Sequence, residues 1–267
     1  MIPKKIHYCW FGGNPLPELA VKCIESWKKY CPDYEIIEWN EKNYDIKNKC
    51  EYVREAYEVK KWAFVSDYAR YDILYQYGGL YFDTDVELIK SIEKIVEKGS
   101  FMGFEFSDKE KVRVAPGLGF GVLPNLKFLK EILDYYNKLH FVNKDGSYNQ
   151  TTIVEHTTNI FKNYGLKKEN KIQKIEDITI YPTDYFCPLN YRTGKLFITD
   201  KTISIHHYTA SWHTEKEKKI KSFEERLYKK YDNKKISYII NNPIWKIIRS
   251  LYIRGLKDTL KKIKEKI

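Results

Sequence analysis

The first half of the chain alternates short apolar runs with segments whose apolar residues recur every three or four positions. Apolar runs of this length predict strands, and three- or four-residue spacing predicts helices. The predicted strands are 6–11, 34–39, 80–83, 101–106, 118–123 and 203–208, and the predicted helices are 16–30, 51–60, 61–77 and 126–139. This alternation predicts an α/β fold, a Rossmann-like sandwich around a mostly parallel sheet.

Two pairs of glycines mark where predicted elements end. Gly12-Gly13 closes the first strand, and Gly78-Gly79 ends the helix before the strand 80–83. Ligands of α/β sheets bind beyond the carboxyl ends of the strands. We therefore expect the site at one edge of the sheet, where the first strand meets Gly12 and where 80–83 leads into Asp85.

Asp83 and Asp85 end this apolar strand and are two positions apart. Alternate residues of a strand project the same way, so both carboxylates are expected to face one place. Paired carboxylates suit Mg²⁺ or Mn²⁺, which also bind phosphate oxygens. A solvated acidic turn is the commoner origin of such a pair, but the preceding strand and glycines favour the metal.

Asp67 and Arg70 lie one turn apart on an otherwise apolar helix, where charges need a partner or a charged ligand. A structural ion pair is the alternative interpretation. Trp10, beside the first glycine pair, offers an aromatic surface to a ligand, although a core position would also explain it. His206 and His207 are adjacent on a predicted strand and face opposite ways, so one of them at most joins a given site easily.

Together these motifs resemble a known family, the DXD sugar transferases of capsular polysaccharide loci. That family includes fungal initiating mannosyltransferases and is related to the glucosylating clostridial toxins. The resemblance covers about residues 2–212 and rests on three ordered blocks: Ile2-Pro3-x-x-Ile6-His7-x-x-Trp10-x-Gly12-Gly13, then Ala63-x-x-Ser66-Asp67-x-x-Arg70 with Tyr77-Gly78-Gly79-x-Tyr81-x-Asp83-x-Asp85, and finally His206-His207-x-x-x-Ser211-Trp212.

The resemblance implies a GT-A type fold, a nucleotide-sugar donor and a retaining transfer. It implies that Asp83 contacts the ribose or a metal-bound water, that Asp85 ligates Mn²⁺ or Mg²⁺, and that His207, less surely His206, completes the metal site. Donor-binding roles are implied for Trp10, Phe11, Gly12, Ser66, Asp67, Arg70, Tyr81, Asp83, Ser211 and Trp212, with Asp67, Arg70, Asp83 and Asp85 as the catalytic set. The glycine-rich stretch 116–121 departs from the family pattern, so no acceptor contacts are carried over there.

Composition sets the wider frame. The 267 residues contain no apolar run long enough for a membrane span and no apparent signal peptide, so we expect a cytoplasmic protein. The five cysteines lack zinc-ligand spacing and are expected to be reduced. The charge is localised: 213–267 has 17 Lys and Arg against 7 Asp and Glu, while 1–212 has 30 against 29.

This asymmetry predicts a catalytic domain at 1–212 and a basic helical C-terminal extension at 213–267. Within 242–267, apolar residues recur at helical steps among cations, which suits either an interfacial helix on anionic lipid or a helix packed on the protein's own body. The extension contains no recognisable nucleic-acid-binding motif, so nucleic acid is not an expected partner.

The sequence thus predicts a metal-dependent glycosyltransferase that moves a hexose from a nucleotide diphosphate sugar, with a UDP-sugar favoured. The acceptor is expected to be a glycan or a lipid-linked glycan in surface polysaccharide synthesis. Two alternatives stay open: a nucleotidyltransferase or phosphohydrolase with the same metal, and a nucleic-acid-binding module that uses the basic extension.

Overall fold

The computed structural model describes residues 1–107, 111–191, 193–209, 215–231, 236, 238–240, 242–255 and 259. The chain divides into two compact units. The first comprises 1–189 and 197–207, and the second comprises 190–196 and 208–267. The predicted domain boundary at 212 stays a prediction. Across the described ranges, every helix is too short or too polar to cross a bilayer.

The first unit contains ten strands, seven α-helices and one short 3-10 helix (Ile46–Asn48) among its described residues. The strands are β1 (Lys5–Cys9), β2 (Glu35–Trp39), β3 (Gly79–Tyr81), β4 (Val86–Leu88), β5 (Phe101–Ser107), β6 (Lys111–Ala115), β7 (Phe120–Val122), β8 (Gln173–Ile175), β9 (Ile178–Tyr181) and β10 (Ser204–His206). The helices are α1 (Glu18–Tyr30), α2 (Glu51–Glu58), α3 (Trp62–Tyr77), α4 (Glu93–Val96), α5 (Lys127–Tyr136), α6 (Ile153–Asn163) and α7 (Thr183–Phe186). The second unit contains α8 (Glu215–Lys230) and α9 (Pro243–Arg254).

The central sheet has eight strands in the order β2-β1-β3-β7-β5-β9-β8, with β6 paired to β5. The pairings give β1, β2, β3, β5 and β9 one direction and β6, β7 and β8 the other. Since most strands run one way and helices connect them, the predicted α/β class is confirmed. A separate antiparallel pair joins β10 to β4.

Helix α3 carries the sequence into the strand that precedes the site. It is apolar over most of its surface, and nine of its residues between Val65 and Leu74 are buried, as expected for a helix inside the core. It ends at Tyr77, Gly78 caps it, and β3 begins at Gly79. Gly79 has a φ of +97°, and a Cβ there would lie 2.7 Å from the backbone oxygen of Lys5. The glycine pair therefore allows the chain to turn sharply against β1.

His7 on β1 fastens this turn. Its fully buried ring donates from Nε2 to the carbonyl oxygen of Gly78 at 3.0 Å and accepts at Nδ1 from Trp39 Nε1 at 3.0 Å. These two partners require one neutral tautomer. Burial lowers the pKa of His7 to about 4, although the Gly78 carbonyl favours the protonated ring.

Several elements were not anticipated from the pattern. Strands β4, β8 and β9 have three or four residues each, too few for a periodic signal. Helix α6 was missed because its buried face carries polar side chains. Thr157 bonds to the Tyr71 hydroxyl, and Thr158 accepts from the backbone N–H of Val114. Threonines count as polar in a sequence pattern, but they can be buried in the core when their hydroxyl groups have hydrogen-bond partners there.

The His7 contacts predict a pH-dependent stability. Because the folded-state pKa of His7 lies below the usual 6.5, its contribution is present above about pH 6.5 and is lost as the pH falls towards 4. The loss is on the order of 3 kcal/mol. Denaturant unfolding of the parent and of His7→Gln, which keeps a donor for Gly78, should show a shallower pH dependence in the variant. Equal dependence in both proteins would contradict the assignment.

Candidate functional site

Asp83 lies just beyond β3 and contacts two elements. Its backbone N–H donates to the carbonyl oxygen of Gly117 at 3.0 Å. Its Oδ1 lies 3.1 Å from Arg70 Nη1 and 3.4 Å from the Tyr81 hydroxyl, which donates to it. Its side chain is 32% exposed, so the carboxylate is paired with the buried Arg70 and is still accessible to solvent.

Arg70 is the buried cation of the site, with a side chain only 4% exposed. Its Nη2 lies 2.9 Å from Asp67 Oδ1, its Nε donates to the Ser66 carbonyl oxygen at 3.2 Å, and its guanidinium lies 4.7 Å from the Tyr81 ring centre. Burial disfavours the charge, but the groups around it, Asp83 first, raise the pKa of Arg70 well above its ordinary value. Burial also raises the pKa of Asp67 to about 7, against the pull of Arg70.

Asp85 contacts a different partner. Its Oδ1 lies 3.0 Å from His206 Nε2, and its backbone oxygen accepts from the N–H of His207 at 2.9 Å. Both side chains of the pair are about 15% exposed or less. Burial opposes protonation of His206, but the carboxylates of Asp85, Asp83 and Glu105 outweigh burial and raise its pKa.

The two histidines separate as their alternation predicts. His207 Nε2 lies 2.8 Å from Glu87 Oε2, and Glu87 also pairs with Lys22 at 3.2 Å. The structure therefore brings His206, rather than His207, to Asp85. The two aspartates also have different partners, Arg70 for Asp83 and His206 for Asp85. The reason is that β3 ends at Tyr81, so the alternation of a strand does not continue through the turn that carries them.

Asp85 and His206 have the donor atoms of a site for Mn²⁺ or Mg²⁺. A carboxylate suits Mn²⁺ and Mg²⁺, an imidazole is a ligand for transition metals, and Mg²⁺ is commonly held by one or two carboxylates together with substrate phosphates. Within the described ranges, no three His, Cys, Asp or Glu side chains are arranged as a complete metal site. The residues therefore fit a metal ion that would take its remaining ligands from outside the protein.

The loop after β1 presents Trp10 at the same edge of the sheet. The half-buried Trp10 donates from Nε1 to the Asn14 carbonyl oxygen at 2.6 Å. Gly12 donates its N–H to Glu41 Oε1 at 2.6 Å and has a φ of +95°, which favours glycine. Its missing side chain leaves room for Trp62, whose Nε1 would lie 2.5 Å from an added Cβ. Phe11, in contrast, is buried, and its side chain packs near Tyr44.

The remaining predicted residues are placed as follows. Ser66 donates its hydroxyl to the Trp62 carbonyl oxygen at 3.1 Å, and Tyr81 lies between Arg70 and Asp83. Ser211 and Trp212 lie outside the described residues.

Gly117 was not anticipated as a functional position. A Cβ there would lie 1.8 Å from Asp83 Oδ2, so its missing side chain is the space in which that carboxylate sits. Gly121 leaves similar room for the ring of Phe101, 2.3 Å from an added Cβ. Glycines at 117, 119 and 121 occupy alternate positions, and this regular spacing was the signal of a crowded face.

Residues 17–102 match the model of a family described as the glycosyltransferase sugar-binding region containing DXD motif. This segment is therefore similar to a DXD-type glycosyltransferase sugar-binding region. The resemblance seen in the sequence motifs is thereby confirmed. The matched segment includes Asp67, Arg70, Asp83 and Asp85.

Named relatives agree with this family. Inositol phosphoceramide mannosyltransferase 1 of Schizosaccharomyces pombe is 31% identical over 111 residues, 38% of this chain and 33% of that protein. The chain thus spans about a third of the length of this relative. An uncharacterized glycosyltransferase of Acanthamoeba polyphaga mimivirus is 27% identical over 206 residues, 73% of this chain and 76% of that protein. Among solved structures, the PaToxG glycosyltransferase has a TM-score of 0.44 at 18% identity and covers 61% of this chain and 68% of its own.

The contact at Gly117 predicts a strong effect of a single methyl group. Gly117→Ala should displace the Asp83 carboxylate and lower the free energy of unfolding by about 1–3 kcal/mol, as overpacking does. The same substitution in an Asp83→Ala background should cost much less, because the colliding atoms are gone. Denaturant unfolding of the four proteins in this cycle measures the difference. Additive effects of the two substitutions would contradict a direct collision.

Proposed function

We propose that this protein is a metal-dependent glycosyltransferase that transfers a hexose from a nucleotide diphosphate sugar, with a UDP-sugar as the favoured donor. The acceptor in this proposal is a glycan or lipid-linked glycan of a surface polysaccharide, such as a capsule, and the anomeric configuration is retained. Retention, the hexose and the UDP-sugar rest on the family resemblance. Metal dependence rests on the side chains of the site.

The observation that carries the proposal is the pair of contacts beyond β3. Arg70 contacts Asp83 at 3.1 Å, and His206 contacts Asp85 at 3.0 Å. In this proposal Asp85 and His206 hold Mn²⁺ or Mg²⁺, with Asp83 beside them. The bound ion would supply positive charge for the diphosphate oxygens.

Arg70 acts on the leaving group from a fixed position. Negative charge builds on the diphosphate as the bond to the sugar breaks, and a cation that is already oriented stabilises it without rearrangement. Asp67 and Asp83 provide that orientation, because each pairs with one Nη atom of the guanidinium. Trp10 would stack on the nucleotide base, and the bonds of Asn14 and Glu41 keep its loop in place.

The metal assignment predicts a sharp difference between adjacent histidines. Asp85→Asn and His206→Gln should abolish the additional thermal stabilisation that Mn²⁺ gives in the presence of UDP. His207→Gln is the matched control, because it removes a histidine that contacts Glu87 instead, and should retain the effect. Melting temperatures with UDP or GDP, each with and without Mn²⁺, provide the measurement.

Equal Mn²⁺-dependent stabilisation in the parent and Asp85→Asn would refute the metal site. Release of nucleoside diphosphate from the donor supports the transfer, whereas release of pyrophosphate would indicate a nucleotidyltransferase. This second readout separates the reaction class from metal binding.

We further propose that the protein works on the cytoplasmic side of the plasma membrane and contacts anionic lipid through α9. One face of α9 packs on α8: Trp245 donates to Glu224 at 2.9 Å and stacks on Phe223. Another set of side chains on α9 is apolar and 37–67% exposed: Ile244, Ile247, Ile248, Leu251 and Tyr252. An apolar stripe within a basic extension fits the surface of an anionic bilayer.

Removing the stripe should remove lipid binding. Full-length Ile244→Gln/Ile248→Gln should lose most co-sedimentation with vesicles of mixed phosphatidylcholine and phosphatidylglycerol at low salt. Ile172→Gln, which changes an isoleucine of the first unit that is 55% exposed, should bind as the parent does. If the parent protein does not co-sediment with these vesicles, the proposed lipid contact is wrong.

A further inference from the structure

A second charged pair lies near the carboxyl end of β5. Glu105 on β5 is directly opposite Arg113 on β6, and Glu105 Oε1 lies 3.1 Å from Arg113 Nη2. Glu105 is 9% exposed, and the Arg113 side chain is 29% exposed. The Glu105 carboxylate is therefore almost completely buried, and the Arg113 guanidinium is partly exposed to solvent.

The Glu105 side chain lies on the face of β5 that meets helix α7. Alternation along β5 places Glu105 on the face of Gly103, where an added Cβ would lie 2.9 Å from Phe186 of α7. Helix α7 contacts both β5 and β10, the strand that carries His206. The Glu105 carboxylate is one of the charges that raise the pKa of His206. On the other strand of the hairpin, β6 leads from Arg113 towards Gly117, which lies against Asp83.

Stability alone does not require this pair. The hairpin enters the main apolar cluster through its opposite face, with Phe104, Val112 and Val114, and Phe101 and Ala115 are buried on the face of Glu105. Removing a carboxylate and a guanidinium from water is costly, and apolar residues of similar size often serve stability as well. Arg113 Nε is also buried without a hydrogen-bond partner among the described residues. A buried donor that lacks a partner requires an explanation, and a bound ligand is one that fits a charged pair beside the site.

We propose that Glu105 and Arg113 recognise hydroxyl groups of the sugar carried by the donor. This inference rests on the proposed function. A carboxylate accepts hydrogen bonds from sugar hydroxyls and a guanidinium donates to them, so together they suit adjacent hydroxyls. The pair lies close enough to His206 for the Glu105 charge to raise the pKa of that histidine. We therefore expect the pair to affect the affinity for the sugar and not the affinity for the nucleotide.

The test compares each nucleotide with its sugar conjugate. Isothermal titration in Mn²⁺ measures the affinity of the full-length parent for UDP, UDP-glucose and UDP-galactose, and for GDP and GDP-mannose. For the best conjugate, Glu105→Gln should bind the nucleoside diphosphate as the parent does and bind the conjugate about tenfold more weakly. Glu51→Gln is the matched control, because it removes a carboxylate from an exposed pair with Arg54.

A second variant separates recognition from folding. Glu105→Gln leaves Arg113 without its partner, so Glu105→Gln/Arg113→Gln, which restores a neutral pair, should recover the melting temperature and still lack the sugar-dependent affinity. Recovery of that affinity in the double variant would make the pair structural and overturn the inference. An unchanged ratio of conjugate to nucleotide affinity in Glu105→Gln would also overturn it. Failure of every nucleotide to bind the parent would instead refute the proposed function, and this inference with it.

Discussion

The site depends on one buried cation. Arg70 sits on an apolar helix, where an unpaired guanidinium would be very costly, so its position requires carboxylates on two sides. Asp67 comes from the same helix, and Asp83 comes from the far end of β3. The ion pairs thereby tie α3 to the carboxyl edge of the sheet. They also impose the glycine at 117, because the carboxylate occupies the space of its absent side chain.

Two electrostatic centres follow from this arrangement. Asp83 is committed to Arg70, which leaves Asp85 to pair with His206 from another sheet. One centre holds the Arg70 guanidinium between two carboxylates, and the other offers ligand atoms for the proposed metal ion. In the proposed reaction, a diphosphate that bridges the two would meet the guanidinium at one end and the metal ion at the other, and both would stabilise the charge of a departing nucleotide.

The parts of this site that follow from local pattern were predictable. Asp67, Arg70 and the aspartates after β3 stand out because charges interrupt apolar segments. The choice between His206 and His207 was not predictable, since it depends on how β10 pairs with β4. Glu105 and Arg113 were missed for the same reason: they are eight positions apart along the chain, and only the hairpin register makes them neighbours. Pairing partners across a sheet are set by topology, which a single sequence does not display.

Helix α3 also has a mechanical consequence. Trp62, at its first turn, lies against Gly12 of the Trp10 loop, and its last residue leads directly through Gly78 and Gly79 into β3. A 16-residue helix is about 24 Å long and resists compression along its axis. It joins the loop beside Trp10, at the carboxyl edge of the sheet, to the glycine turn before β3, at the opposite edge. A displacement of that loop is therefore expected to reach the Gly78-Gly79 turn, because little flexible chain lies between them.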